Sequence, residues 1–208
     1  MSEPAVTIRP PRPEDAAAVA DLLNACSVDD IGMPDTDTAQ MQRWWSQPGF
    51  DPALDAWVAE AADGGILGYV QVESNGEGGD LQLDGYTHPA FMGRGIGTRL
   101  LDAAERRAVE VAAAHGVAPP VTVRHGAWAE TAPTRFLRAR GYAFVRCFLR
   151  MRIDLDAPPP APVWPDGVGL EGFERGRDER VFYDVIEEAF EDHWSHFARP
   201  FDEWMAHK

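Results

Sequence analysis

Three glycines at alternate positions, Gly93, Gly95 and Gly97, follow a strand-like segment that ends at Thr87-His88-Pro89. Glycine lets the backbone curl until several N–H groups converge on one hollow, and a helix that starts there adds its positive end. Such a hollow holds phosphate oxygens without needing a lysine. Arg94 either adds a charge-assisted contact or faces solvent. A P-loop is excluded, because Gly-Lys-Ser/Thr is absent. A Rossmann turn requires G-x-G-x-x-G in a first βα unit, whereas here G-x-G-x-G follows a run of short-linked strands. On the preceding strand Asp84 and Tyr86 share a face by the period of two, and His88 joins them if the strand stays regular. Glu73 ends the neighbouring strand. All four side chains can exchange a proton; each also has an ordinary reading as a solvated group, or for Tyr86 as core. His193 and His196 lie one helical turn apart beside Glu191 and Asp192, but no third ligand is placed, so no metal is expected.

The elements that must hold these residues are readable from periodicity. Val6–Arg9 alternates like a strand, and Glu14-Asp15 opens a helix to about Asn24 with Val19, Leu22 and Leu23 as its apolar face. An acidic loop, Asp29 to Asp37, leads to a short helix from Thr38 to Ser46. Ala56–Glu60, Ile66–Ser74 and Leu81–His88 read as three strands, joined by turns at Asp63-Gly64-Gly65 and Asn75 to Gly79. Links this short make them antiparallel. From Gly95 to His115 the period changes: Leu100, Leu101, Ala104, Ala108, Val111 and Ala112 recur at helical spacing, and Gly116 stops the helix. Val121–Val123 is then expected parallel to the Leu81 strand. A helix from Thr131 to Arg140 and a long strand from Tyr142 to Leu155 complete the order β-α-α-β-β-β-α-β-α-β, a mixed sheet of the α/β (α+β) kind with flanking helices.

Asp156 to Trp164, with four prolines, reads as a stiff linker. The pattern then starts again. Val168–Glu171 resembles the first strand, Asp178-Glu179 with Phe182, Val185 and Ile186 resembles the first helix, and Phe201–Trp204 falls near the counterpart of Met41–Trp45. This divides the chain into a domain over 1–155, a linker over 156–166 and the start of a second repeat over 167–208. Forty residues cannot bury a core alone, so the repeat must pack on the first domain, on another copy in a homodimer, or on a missing remainder.

Composition bounds the rest. The formal charge is −15, Lys208 is the only lysine, and 45% of residues are hydrophobic. A surface this acidic opposes nucleic acid and anionic lipid. It would favour amines, although surplus charge for solubility explains it as well. No apolar run is long enough to span a membrane, no basic-then-apolar leader opens the chain, and Cys26 and Cys147 are too few and too far apart for a disulfide framework. A cytoplasmic protein is expected.

Thr87-His88-Pro89 through Leu101 resembles the central motif of the GNAT acyltransferase superfamily, a Val-x-Pro strand end followed by Arg/Gln-x-x-Gly-x-Gly/Ala. Glu130 to Tyr142, with Phe136, Gly141 and Tyr142, resembles its second helix-Gly-aromatic motif. The resemblance covers roughly residues 5 to 155 and extends to the restart at Val168, as in tandem members such as the mycothiol acetyltransferases. It implies a GNAT fold whose mostly antiparallel sheet splays into a V. Acetyl-CoA would lie there as co-substrate, its pantetheine on the backbone of Gly85, Tyr86 and Thr87 and its pyrophosphate on the amides of Gly93, Arg94, Gly95, Ile96, Gly97 and Thr98. The implied activity is N-acetyl transfer to a small-molecule amine, with a backbone N–H near Thr87 polarising the carbonyl and Asp84 or His88 as proton acceptor. Three positions depart from the pattern. Met92 stands at the Arg/Gln position, Leu137 at that of a frequent tyrosine, and Glu130 at that of an asparagine. These departures leave a second expectation open, a non-catalytic acyl-CoA-binding half of a tandem protein.

Overall fold

The computed structural model describes residues 6–74, 81–194, 196 and 198–206. Contacts gather into two units, Met1–Arg135 with Met205–Lys208, and Phe136–Trp204. The first unit is built on a five-stranded sheet: β1 (Val6–Arg9), β2 (Ala56–Ala61), β3 (Ile66–Ser74), β4 (Leu81–Thr87) and β5 (Val123–His125), in that spatial order. β1 to β4 pair antiparallel, and β5 runs parallel to β4. The expected meander and parallel return are therefore both present. The Asn75–Gly79 turn lies outside the described residues.

Helices cover both faces. On one side α1 (Ala16–Ile31) and α2 (Thr38–Trp45) pack Val19, Leu22, Leu23, Met41 and Trp45 against Ala56, Val58 and Tyr69. α1 runs seven residues past Asn24, because no Gly or Pro interrupts it before Gly32, whose φ of +79° ends the helix with its N–H on Val28 O. The Asn24 side chain then accepts the N–H groups of Asp35 and Thr36 and secures the returning loop. A short α3 (Pro52–Asp55), which periodicity does not reveal, carries Asp55 to within 2.8 Å of Arg107. On the opposite face lies α4 (Ile96–Ala114), whose buried Ile96, Leu100, Leu101, Ala104, Ala108 and Ala112 line one side of the helix. At β1, Arg9 bridges Asp15 at 2.6 Å and Glu60 at 2.8 Å. Its guanidinium holds both carboxyls below their ordinary range.

α5 (Ala132–Ala139) spans the division between the units. In the second unit the expected strand from Tyr142 to Leu155 is not formed, nor is the one at Val168–Glu171. Their alternation is real, but a strand needs a ladder partner, and none pairs with either among the described residues. Leu149 and Met151 stand 83% and 89% exposed in consequence. The expected helix after Asp178 is α6 (Glu179–Phe190), and Phe201–Trp204 falls within α7 (Phe201–Ala206). Phe182, Tyr183, Phe201 and Trp204 form an aromatic cluster there, and the Tyr183 hydroxyl donates to Arg199 O at 2.6 Å.

Candidate functional site

The pairing of β4 with β5 is short. Leu81, Gln82 and Leu83 match Val123, Arg124 and His125, after which β5 stops while β4 continues to Thr87. Asp84–Thr87 keeps β3 on one edge and has no strand on the other among the described residues. This is the crevice at the carboxyl ends of parallel strands where α/β sheets take ligands. Gly85, Tyr86 and Thr87 lie along it.

Beyond Thr87 the chain turns sharply. His88 has φ −52° and ψ 130°, and its Nδ1 accepts the Ala90 N–H at 3.2 Å, which starts a 3-10 turn at Pro89–Phe91. Gly93 and Gly95 both take left-handed backbone, φ +73° and +77°, conformations that would strain a side-chain-bearing residue. Gly95 caps α4, whose first ladder bond runs from Arg99 N to Gly95 O at 3.2 Å. Among the described residues, no backbone acceptor takes the N–H groups of Gly93, Arg94, Gly95, Ile96, Gly97 or Thr98. These six donors stand at and just before the head of α4, where the glycine spacing predicts an anion-binding hollow. Ile96 contributes only its amide, since its side chain is 2% exposed. The Arg94 guanidinium lies 5.0 Å from the Phe91 ring centre and donates to Ala90 O at 3.3 Å.

Asp84 and Tyr86 point to the α1 face as the period of two requires; His88 leaves it, because the strand ends one residue earlier. A hydrogen-bonded chain crosses this face. Trp45 Nε1 donates to the Tyr69 hydroxyl at 2.9 Å, which donates to Gln71 Oε1 at 2.6 Å. Gln71 Nε2 in turn donates to Glu73. Register places Gln71 opposite Asp84 and Glu73 opposite Gln82, whose amide approaches Asp84 at 3.3 Å. Burial raises the phenols of Tyr69 and Tyr86 above their ordinary range, so both stay neutral. Beneath the end of β4, the Cys26 thiol donates to Thr87 O at 3.5 Å and is pushed up to about 12 by burial and by Asp30 and Asp29. It is a packing group, not a nucleophile.

The sequence did not single out Gly68, Gln71 or His125. A Cβ on Gly68 would meet Leu100 Cδ1 at 2.7 Å and Tyr86 O at 3.1 Å, so glycine there lets the start of α4 settle against the sheet. Gln71 lies inside a strand whose apolar run hides it. His125 enters the sheet because β5 covers Val123–His125, two residues later than the expected Val121–Val123. Of the remaining positions, Leu137 is buried, Glu130 takes φ +61°, and Met92 lies just before the glycines. His196 lies 3.1 Å from Glu187, and no group of three or more metal-ligating side chains occurs among the described residues.

A five-stranded sheet whose fourth and fifth strands pair only at Leu81–Leu83, with a glycine-capped helix after the fourth strand, is the mixed-sheet architecture that the GNAT resemblance implies. Residues 52–143 match the acetyltransferase (GNAT) domain. A mycothiol acetyltransferase of Thermomonospora curvata is 37% identical over 134 residues, covering 63% of this chain and 41% of that protein. A GCN5-related N-acetyltransferase from Sphaerobacter thermophilus superposes with a TM-score of 0.73 at 31% identity, over 99% of this chain and 64% of that one. A Salmonella typhimurium structure solved with its cofactor acetyl-CoA shares the fold, with a TM-score of 0.51 at 22% identity over 68% of this chain and 82% of its own. The chain thus contains a GNAT-domain match over residues 52–143 and is similar to the mycothiol acetyltransferases. It spans about two fifths of the length of the curated relative it matches. Among the described residues no helix is long and apolar enough to cross a membrane.

Proposed function

We propose that the first domain transfers the acetyl group of acetyl-CoA to the amine of a small molecule. The observation that carries this reading is the run of backbone N–H groups from Gly93 to Thr98 at the head of α4, beside the open edge of β4. The pyrophosphate fits those amides, and pantetheine fits the backbone of Gly85–Thr87. Four residues of open edge span about 13 Å, so the thioester comes to rest near Asp84, where β4 and β5 meet. There an N–H of β4 polarises the carbonyl, the amine nitrogen attacks it, and the sulfur leaves as thiolate. Asp84 is the nearer of the two proton-accepting candidates, since His88 has left the strand and its Nδ1 is engaged with Ala90.

Residues 167–208 are taken as the start of a second repeat after the 156–166 linker, with α6 and α7 as counterparts of α1 and α2. The acidic surface, with its formal charge of −15, suits an amine acceptor and opposes nucleic acid. Met92 and Leu137 favour a second reading, in which this half binds acyl-CoA without turning it over.

Calorimetric titration with acetyl-CoA and with free CoA tests what both readings share, and failure of both ligands to bind removes them together. A thiol-release assay over a panel of small amines separates the two. Asp84→Asn is expected to slow release at unchanged CoA affinity; an unchanged rate removes Asp84 from the chemistry.

A further inference from the structure

His125 is the last residue of β5 that pairs with β4, and its partner in register is Leu83. It therefore sits where the gap between the two strands closes. Its Nδ1 lies 2.8 Å from Gly126 O. A carbonyl oxygen only accepts, so Nδ1 carries the proton and the ring lone pair is on Nε2. That atom is directed at Gly85: a Cβ built on Gly85 would lie 3.1 Å from it. The imidazole thus borders the stretch of β4 on which the thioester end of acetyl-CoA rests in the proposed function, and this inference depends on that reading.

We propose that His125 is a catalytic residue of acetyl transfer, a proton carrier that takes the amine proton on Nε2 and delivers it to the departing sulfur. The steps balance. The amine nitrogen bonds to the thioester carbon, and the nitrogen loses one proton to Nε2. The C–S bond then breaks with its electron pair going to sulfur, and the imidazolium returns the proton to that thiolate. One residue serves as base and then as acid, which supplies a thiol proton donor in a chain where Leu137 stands at the tyrosine position. Two surroundings suit the task. Burial holds the imidazole below the ordinary histidine range, so the lone pair is present at neutral pH, while Asp84 on β4 acts in the opposite sense and favours the transient imidazolium. Asp84 contributes through His125 in this scheme. A Cβ at Gly85 would press on the ring and shift it by a few tenths of an ångström.

His125→Asn retains a side-chain donor for Gly126 O and removes Nε2. It is expected to bind acetyl-CoA within about threefold of wild type while kcat falls by about 100-fold or more. The fall in rate on the acid side of the wild-type pH profile, as Nε2 becomes protonated, should disappear in the variant. Wild-type-like kcat with that acid limb intact overturns the proposal. A second measurement needs no turnover. In protein labelled with nitrogen-15 at histidine, the His125 Nε2 resonance, assigned by its loss in His125→Asn, should shift when acetyl-CoA is added. Calorimetric binding of acetyl-CoA without that shift also overturns the proposal. Absence of acetyl-CoA binding, by contrast, removes the underlying acetyltransferase reading and the proton-carrier role with it.

Discussion

Gly68→Ala tests whether the seating of α4 sets cofactor affinity. The added methyl would lie 2.7 Å from Leu100 Cδ1, 3.0 Å from Ile96 Cγ2 and 3.1 Å from Tyr86 O. Carbon atoms rest about 3.5–4.0 Å apart, so the first contact is short by roughly 1 Å. Leu100 can rotate its terminus away. Ile96 is branched at Cβ and buried, and Tyr86 O belongs to the β4 backbone, so neither yields without moving an element. The strain therefore falls on the first turn of α4, the turn that presents the amides of Ile96, Gly97 and Thr98. Overpacking of this kind costs about 1–3 kcal/mol, which for a unit of this size lowers Tm by roughly 4–15 °C. Misaligning one charge-assisted bond to a phosphate costs a further 1.5–3 kcal/mol or so, about 10- to 100-fold in Kd for CoA. Thermal denaturation followed by circular dichroism and calorimetric CoA titration read the two effects. Gly172→Ala is the control, since a Cβ there meets nothing within 4 Å. If Gly68→Ala matches wild type in both Tm and Kd, the link from strand to helix to amides is wrong.

Gly95→Ala meets a different barrier: its φ of +77° costs an L-residue about 1–2 kcal/mol, so CoA affinity should fall by about tenfold, measurable by calorimetry, with the α4 packing residues untouched. Stability should also fall in acid in a way that depends on Arg9. The Asp15 and Glu60 carboxyls are held low by hydrogen bonds to Arg9, so the folded state binds fewer protons than the unfolded chain; the stabilisation is full above the unfolded value of about 4 and is lost as pH falls through the folded ones. Denaturant midpoints measured from about pH 5 downward should drop less steeply for Arg9→Gln than for wild type, and parallel curves would contradict the assignment.

The first unit was legible because its local signals agree with its tertiary structure. Short links between the apolar runs leave only antiparallel pairing, and Leu100, Leu101, Ala104 and Ala108 can serve only a helix with one buried face. The turn at Gly93 and Gly95 was legible for the same reason, since both occupy left-handed positions that restrict residue type. What failed depends on partners that sequence does not supply. The alternation from Tyr142 to Leu155 describes a strand, but whether it forms is decided by an available ladder edge. His88 was placed on the carboxylate face by continuing a period through a residue that begins a turn. His125 was missed because a two-residue shift in β5 decides whether it is loop or sheet, and Val121, Thr122 and Val123 have stronger β propensity than Arg124 and His125.

These successes and failures follow from how the site divides its work. In the proposed function, cofactor binding would rest on backbone N–H groups, which every residue type but proline carries; what the sequence must supply is the conformation, and glycine supplies it visibly. Met92 at the usual Arg/Gln position thus removes one side-chain contact and leaves six amides in place. Proton transfer is different. It needs one lone pair within about 3 Å of the reacting atom, and that is set by strand register, by the tautomer a neighbouring carbonyl selects, and by what lies opposite. Gly85 sits on β4 and His125 on β5, forty residues apart in sequence, and parallel pairing across the sheet brings them together. On that proposal, binding can persist through substitutions that abolish turnover, so CoA affinity alone does not test acetyl transfer, whereas the protonation behaviour of His125 does.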